Sequence, residues 1–136
     1  MNGSKERVWT RTPAKPPAPS AAEKQAIIAA CEALIRDVLK PRCLPEIRPS
    51  PFNYPIDIKG AWAGGRYRFI QRYRSGQEEN KGEEFDAPFT RLDRVGPDRF
   101  DIYWMRHTGK WWRVHQGVSL AKALKLIETE SLLHPA

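Results

Sequence analysis

The chain reads as an α+β domain: an antiparallel sheet of about four or five strands, with an N-terminal and a C-terminal helix packed on one face. Three observations predict this. Ser20-Ala21-Ala22-Glu23 has capping-box spacing ahead of a helical stripe of Ile27, Ile28, Cys31, Leu34, Ile35, Val38 and Leu39. Residues 56–74 and 100–115 alternate apolar and polar side chains around turn signals, as antiparallel hairpins do. Ser119 then opens a second stripe, Leu120, Ala123, Leu124 and Ile127, with Lys122, Lys125 and Glu128 on its wet side.

The 136 residues leave room for one domain. Residues 1–19 read as a disordered basic arm. They hold Pro13, Pro16, Pro17 and Pro19, four cations, one acid (Glu6) and a lone Trp9. The domain spans residues 20–134. Pro41 is expected to stop the first helix. Residues 41–55 hold five prolines and read as an extended connector tacked to the core by Phe52 and Tyr54.

Strand parity carries the functional reading. A two-residue turn at Gly64-Gly65 pairs Trp62 with Tyr67, Gly60 with Phe69, Ile58 with Gln71 and Ile56 with Tyr73. Gly60 then leaves room for the Phe69 ring. A three-residue loop, His107-Thr108-Gly109, pairs Trp104 with Trp112 and Ile102 with Val114 on the inner face. It pairs Asp101 with His115, Tyr103 with Arg113 and Met105 with Trp111 on the outer face. A strand near Phe85–Val95 lies between the hairpins. Its phase is ambiguous, and Pro88 suggests an edge or a bulge.

Two helices cover one face of such a sheet, so the other is expected to be open. It would carry Arg66, Arg68, Arg72, Arg74 and Arg113, with Tyr103 and Trp111 beside them. The formal charge is +7 and the pI about 9.7, with 14 Arg against 9 Lys. Alternate strand residues lie about 6.6–7 Å apart, close to the spacing of successive phosphates on an extended strand. Cations at that pitch beside stacking rings suit non-catalytic binding of an anionic partner, foremost a single-stranded nucleic acid. The same face also suits self-association or an acidic protein partner. Neighbouring Glu84 and Asp86 offer a third account, in which the arginines form ordinary cross-strand ion pairs.

No apolar run reaches the roughly 18–20 residues of a membrane helix, and no apolar block opens the chain. Two cysteines, Cys31 and Cys43, exclude a disulfide scaffold and a Cys-only zinc site. Cys31 lies in the helical stripe and reads as a small buried hydrophobe. No motif calls for a metal or a cofactor. The one catalytic arrangement to weigh is His115 opposite Asp101, with Tyr103 and Arg113 alongside, as in a small metal-independent ribonuclease.

The stretch Pro88-Phe89, Gly96-Pro97-Asp98-Arg99-Phe100, Tyr103-Trp104-Met105-Arg106 and Gly109-Lys110-Trp111-Trp112 resembles the bacterial domain of unknown function 3024 family. The layout matches over roughly residues 27–132, and the arm lies outside it. The resemblance implies a small bacterial cytoplasmic protein, with no assigned activity, cofactor or site residue.

Overall fold

The structure, a computed structural model, describes residues 17–135. The expected arm, with Trp9, lies outside the described residues except for 17–19.

Ser20 starts helix α1 (Ala21–Leu34), its hydroxyl accepting the Glu23 N–H at 3.0 Å. Glu23 does not complete the capping box. Its carboxylate takes two hydrogen bonds from the Arg94 guanidinium, at 2.8 and 2.9 Å, and Arg94 also donates to the Pro17 carbonyl at 2.7 Å. The helix also does not stop at Pro41. It continues through a π-helical stretch, Ile35–Leu39, into a last turn, Lys40–Cys43. Proline lacks an N–H and its ring crowds the carbonyl four residues back. The wider winding, in which the Lys40 N–H donates to the Ile35 carbonyl, relieves that crowding.

Five strands follow: β1 (Asn53–Ala63), β2 (Arg66–Ser75), β3 (Glu84–Gly96), β4 (Arg99–Met105) and β5 (Trp111–Val118). They form one antiparallel meander in chain order, with β1 and β5 at the edges. Helix α2 (Leu120–Thr129) closes the domain. Its start is tied to the β3–β4 turn. Asp98 sits at φ +50° and its carboxylate accepts the Leu120 N–H at 2.9 Å, while Ser119 accepts from the Lys122 N–H.

Gly64 and Gly65 both adopt positive φ, +60° and +78°, and close the first hairpin in the expected register down to Asp57 opposite Arg72. A bulge between Pro55 and Asp57 then puts Pro55, not Ile56, opposite Tyr73. The ring over Gly60 is not Phe69 but Tyr67: a Cβ at Gly60 would overlap the Tyr67 phenol. Phe52 is 68% exposed and does not tack the connector to the core.

β3 is central, so Pro88 marks no edge. It sits at a bulge where Phe69 faces Thr90 and Ile70 faces Pro88, leaving Phe89 as the extra residue. That shift explains the missing parity of Phe85, Phe89 and Leu92. The second hairpin closes as expected, with Gly109 at φ +82° and its N–H donating to the Arg106 carbonyl at 2.8 Å. Trp104 faces Trp112, Tyr103 faces Arg113 and Met105 faces Trp111. Further along, two irregularities put His115, rather than Val114, opposite Ile102.

Ile27, Cys31, Leu34, Ile35 and Leu39 join Ala123, Ile127 and Leu133 in one buried cluster with Ile58, Tyr67, Phe69, Leu92, Phe100 and Ile102. α1 packs on β1 and against α2, and α2 packs on β4. Cys31 is fully buried, and burial pushes its thiol up to about 12, consistent with a packing role.

Gly60→Ala tests this packing. The added methyl has to displace the fully buried Tyr67 ring, so denaturant unfolding should show a loss of about 1–3 kcal/mol. A change under about 0.5 kcal/mol would contradict the close approach.

Candidate nucleic-acid interface

Alternation sends Ile58, Tyr67, Phe69, Leu92 and Ile102 to the core. The intervening residues make a second face, here the arginine face. One row across the sheet takes a residue from each strand: Ala61, Arg68, Arg91, Tyr103 and Arg113. The row nearer the Gly64-Gly65 turn holds Ala63, Arg66, Asp93 and Asp101. The structure therefore brings Arg66, Arg68, Arg72, Arg74, Tyr103, Trp111 and Arg113 onto one face, as the sequence predicts.

Their electrostatics differ along it. Arg72 lies 2.9 Å from Asp86 and 3.3 Å from Glu84, Arg74 lies 2.8 Å from Glu84, and Lys59 lies 2.9 Å from Asp86. Arg72, then Lys59, hold the Asp86 carboxyl below the usual aspartate range. A lowered folded-state value means that its small, solvent-screened contribution is present above that range and fades as the pH falls through it. At this end of the face three cations share two carboxylates in a ladder of ion pairs.

The other end differs. Among the described residues Arg68 has no ion pair or side-chain hydrogen bond. Arg113 is 47% exposed and reaches Asp101 only at 3.5 Å. From Ile102 to Ile127 the chain has no acidic residue, while Arg106, Lys110, Arg113, Lys122 and Lys125 fall within that span.

Arg91 is the residue that sequence reasoning missed. It sits at the centre of the row and is only 7% exposed. Asp93 accepts its Nε–H at 2.7 Å and its terminal N–H at 3.0 Å. Its guanidinium carbon lies 4.1 Å from the Tyr103 ring centre and 5.0 Å from that of Trp111. The two rings thus rest on a neutralised cation that fixes their place on the sheet. An Arg-x-Asp pair on one side of a strand was the available signal (Asp93 two residues on). The ambiguous phase of β3 hid which side that was.

Two expectations fail here. Trp112 is 56% exposed instead of buried beside Trp104. It stands on the edge strand, outside the cluster that Trp104 packs against, and Arg106 lies over it with the guanidinium carbon 5.1 Å from its ring centre. Nor does Asp101 meet His115. The shifted register gives the His115 Nε2 to Glu130, at 2.9 Å, while Asp101 accepts the Gly117 N–H at 2.8 Å, at the register irregularity in β5 where Gly117 has φ +64°. The acid–base pair of a ribonuclease is not assembled. Among the described residues no three His, Cys, Asp or Glu side chains cluster to hold a metal.

Removing Arg91 should leave Asp93 with Arg66 alone as a partner and the two rings unsupported. Arg91→Ala is expected to lose about 3 kcal/mol of unfolding free energy, the scale for breaking a buried pair, and to red-shift the tryptophan emission. Arg68→Ala should stay within about 0.5 kcal/mol of the parent. Equal losses for the two variants would contradict the assignment.

Comparison with known proteins adds a family and no activity. No curated protein and no solved structure matches the chain. A family model described as a domain of unknown function, DUF3024, matches residues 18–133, nearly the whole described chain. That span takes in the Asp98 turn, the Arg91–Asp93 pair and all three tryptophans of the β4–β5 hairpin, and the chain belongs to the DUF3024 family.

Proposed function

We propose that this protein binds single-stranded nucleic acid without catalysis, on the β4–β5 half of the arginine face. In this reading α1 and α2 both lie on the core side of the sheet, leaving the arginine face open, and the protein works in the cytoplasm. Trp111 and Tyr103 stack on bases, and Arg68 and Arg113 hold phosphates. One observation carries the reading: two rings seated on the buried Arg91, flanked in the same row by Arg68, which has no ion pair among the described residues, and by the half-exposed Arg113, whose one carboxylate partner stands at 3.5 Å. Stacking on such a platform is indifferent to base identity, because every base has a π-face. Arg72 and Arg74, committed to Asp86 and Glu84, contribute little.

A second reading has its own support. Ion-paired side chains on β2 and β3 share the face with the apolar Ile70 and with Met105 opposite Trp111, and a protein interface likewise sets apolar groups beside polar ones. A second copy or an acidic protein would bind there. Light scattering separates the two: a stable dimer lost in Trp111→Ala supports self-association.

Fluorescence anisotropy with a labelled oligothymidylate tests the leading reading. Binding should weaken steeply as salt is raised. Trp111→Ala should cost about 1–3 kcal/mol of affinity at unchanged stability. Arg72→Ala and Arg74→Ala should cost under about 0.5 kcal/mol. No binding at low salt would overturn it.

A further inference from the structure

A cleft of about 620 Å³ opens at the other end of the sheet, beside the Gly64-Gly65 turn. That is within the roughly 300–1,000 Å³ typical of small-molecule sites. Its walls include Trp62 and the Pro17–Pro19 stretch, and Lys24 and Arg66 also line it. The cations there are unequally committed. Arg94 is saturated by Glu23 and the Pro17 carbonyl. Lys24 has no carboxylate partner among the described residues. Arg66 reaches Asp93 only at 3.5 Å, because Arg91 already holds both oxygens of that carboxylate. An aromatic wall next to two available cations matches a nucleotide: a base against Trp62, a phosphate between Lys24 and Arg66.

Arg66 belongs to the arginine face as well as to the cleft. The register sets the path between the two places. From Trp111 on β5 to Arg66 on β2 is three strand spacings, about 14 Å, across the sheet and four residues, about 13 Å, along it. The diagonal passes Tyr103, Arg113 and Arg68.

We propose that the cleft is a second nucleotide subsite, so that one strand crosses the arginine face obliquely, from Trp111 past Arg68 to Arg66, and turns over the Gly64-Gly65 end of the sheet to a nucleotide seated against Trp62 and Lys24. This inference rests on the single-strand reading above. It sets the site size at about four to six nucleotides, the low end of the roughly 4–16 of known single-strand modules.

Oligothymidylates of two, four, six and eight residues, titrated into the full chain at low salt, test it. In the parent, affinity should rise at least about fivefold between two and six residues and then level off. In the variant Lys24→Glu the two-residue oligomer should bind as in the parent, while the gain on lengthening is lost. Lys24 is a cleft residue with no contact to the Arg91–Asp93 pair, and a matched melting temperature checks the fold. A variant that keeps the full length-dependent gain overturns the subsite and leaves the Trp111 platform standing. No binding of any oligomer to the parent overturns both.

Discussion

A charged side chain on the far side of a sheet from the core ordinarily lies in water. Arg91 is buried there, and the organisation of the arginine face follows from what that burial requires. An unpaired guanidinium in such a place would cost several kcal/mol, and it is tolerable only when neutralised and hydrogen-bonded. Asp93 supplies two hydrogen bonds, and Tyr103 and Trp111 supply ring faces. Because Asp93 is taken, Arg66 is left with a long contact. Because the rings lie against Arg91, they sit on the sheet instead of swinging free. The Trp-rich hairpin is therefore seated from beneath by a residue two strands from its edge.

Charge is divided unevenly over the sheet. Where β1, β2 and β3 meet at the Glu84 end, every cation of the ladder is committed to a carboxylate. The β4–β5 hairpin and the helix after it carry cations alone from Ile102 to Ile127. A phosphate approaching the first region must displace a carboxylate, whereas one approaching Arg68 need not and one approaching Arg113 meets only the long contact to Asp101. That asymmetry moves the proposed contact surface away from the arginine run of β2, which looks most basic in the sequence, toward the hairpin and Arg68.

The sequence is most legible where local chemistry decides the structure. Ser20 and Ser119 cap helices, the glycine pair closes a type I′ turn, and Gly109 closes the three-residue loop, so the hairpin registers near those turns follow from parity. Prediction fails where an extra residue breaks the period of two. Pro55, Phe89 and the stretch before Gly117 each sit at an irregularity, and each moves side chains to new partners: Ile56 off Tyr73, His115 onto Glu130, Asp101 onto a backbone N–H. Such bulges depend on pairing with a neighbouring strand, which periodicity within one strand does not reveal. Pro41 fails for a related reason: a π-helical stretch accommodates the ring that should have ended the helix. The exposure of Trp112 was hidden because parity assigns a face and not how far the core extends beneath it.

The central claim is that Arg91 seats Trp111 and Tyr103 as a stacking platform. Proton–nitrogen NMR of the full chain, following the Arg91 side-chain Nε–Hε and the indole N–H signals during titration with an oligothymidylate, tests it most directly. The account predicts a ring-current-shifted, slowly exchanging Arg91 signal in the free protein. On titration the Trp111 indole signal should move while that of Trp104, packed against the core, stays still. An Arg91 signal at the position of a solvated arginine, or a Trp111 signal unmoved while the oligomer binds, would contradict it.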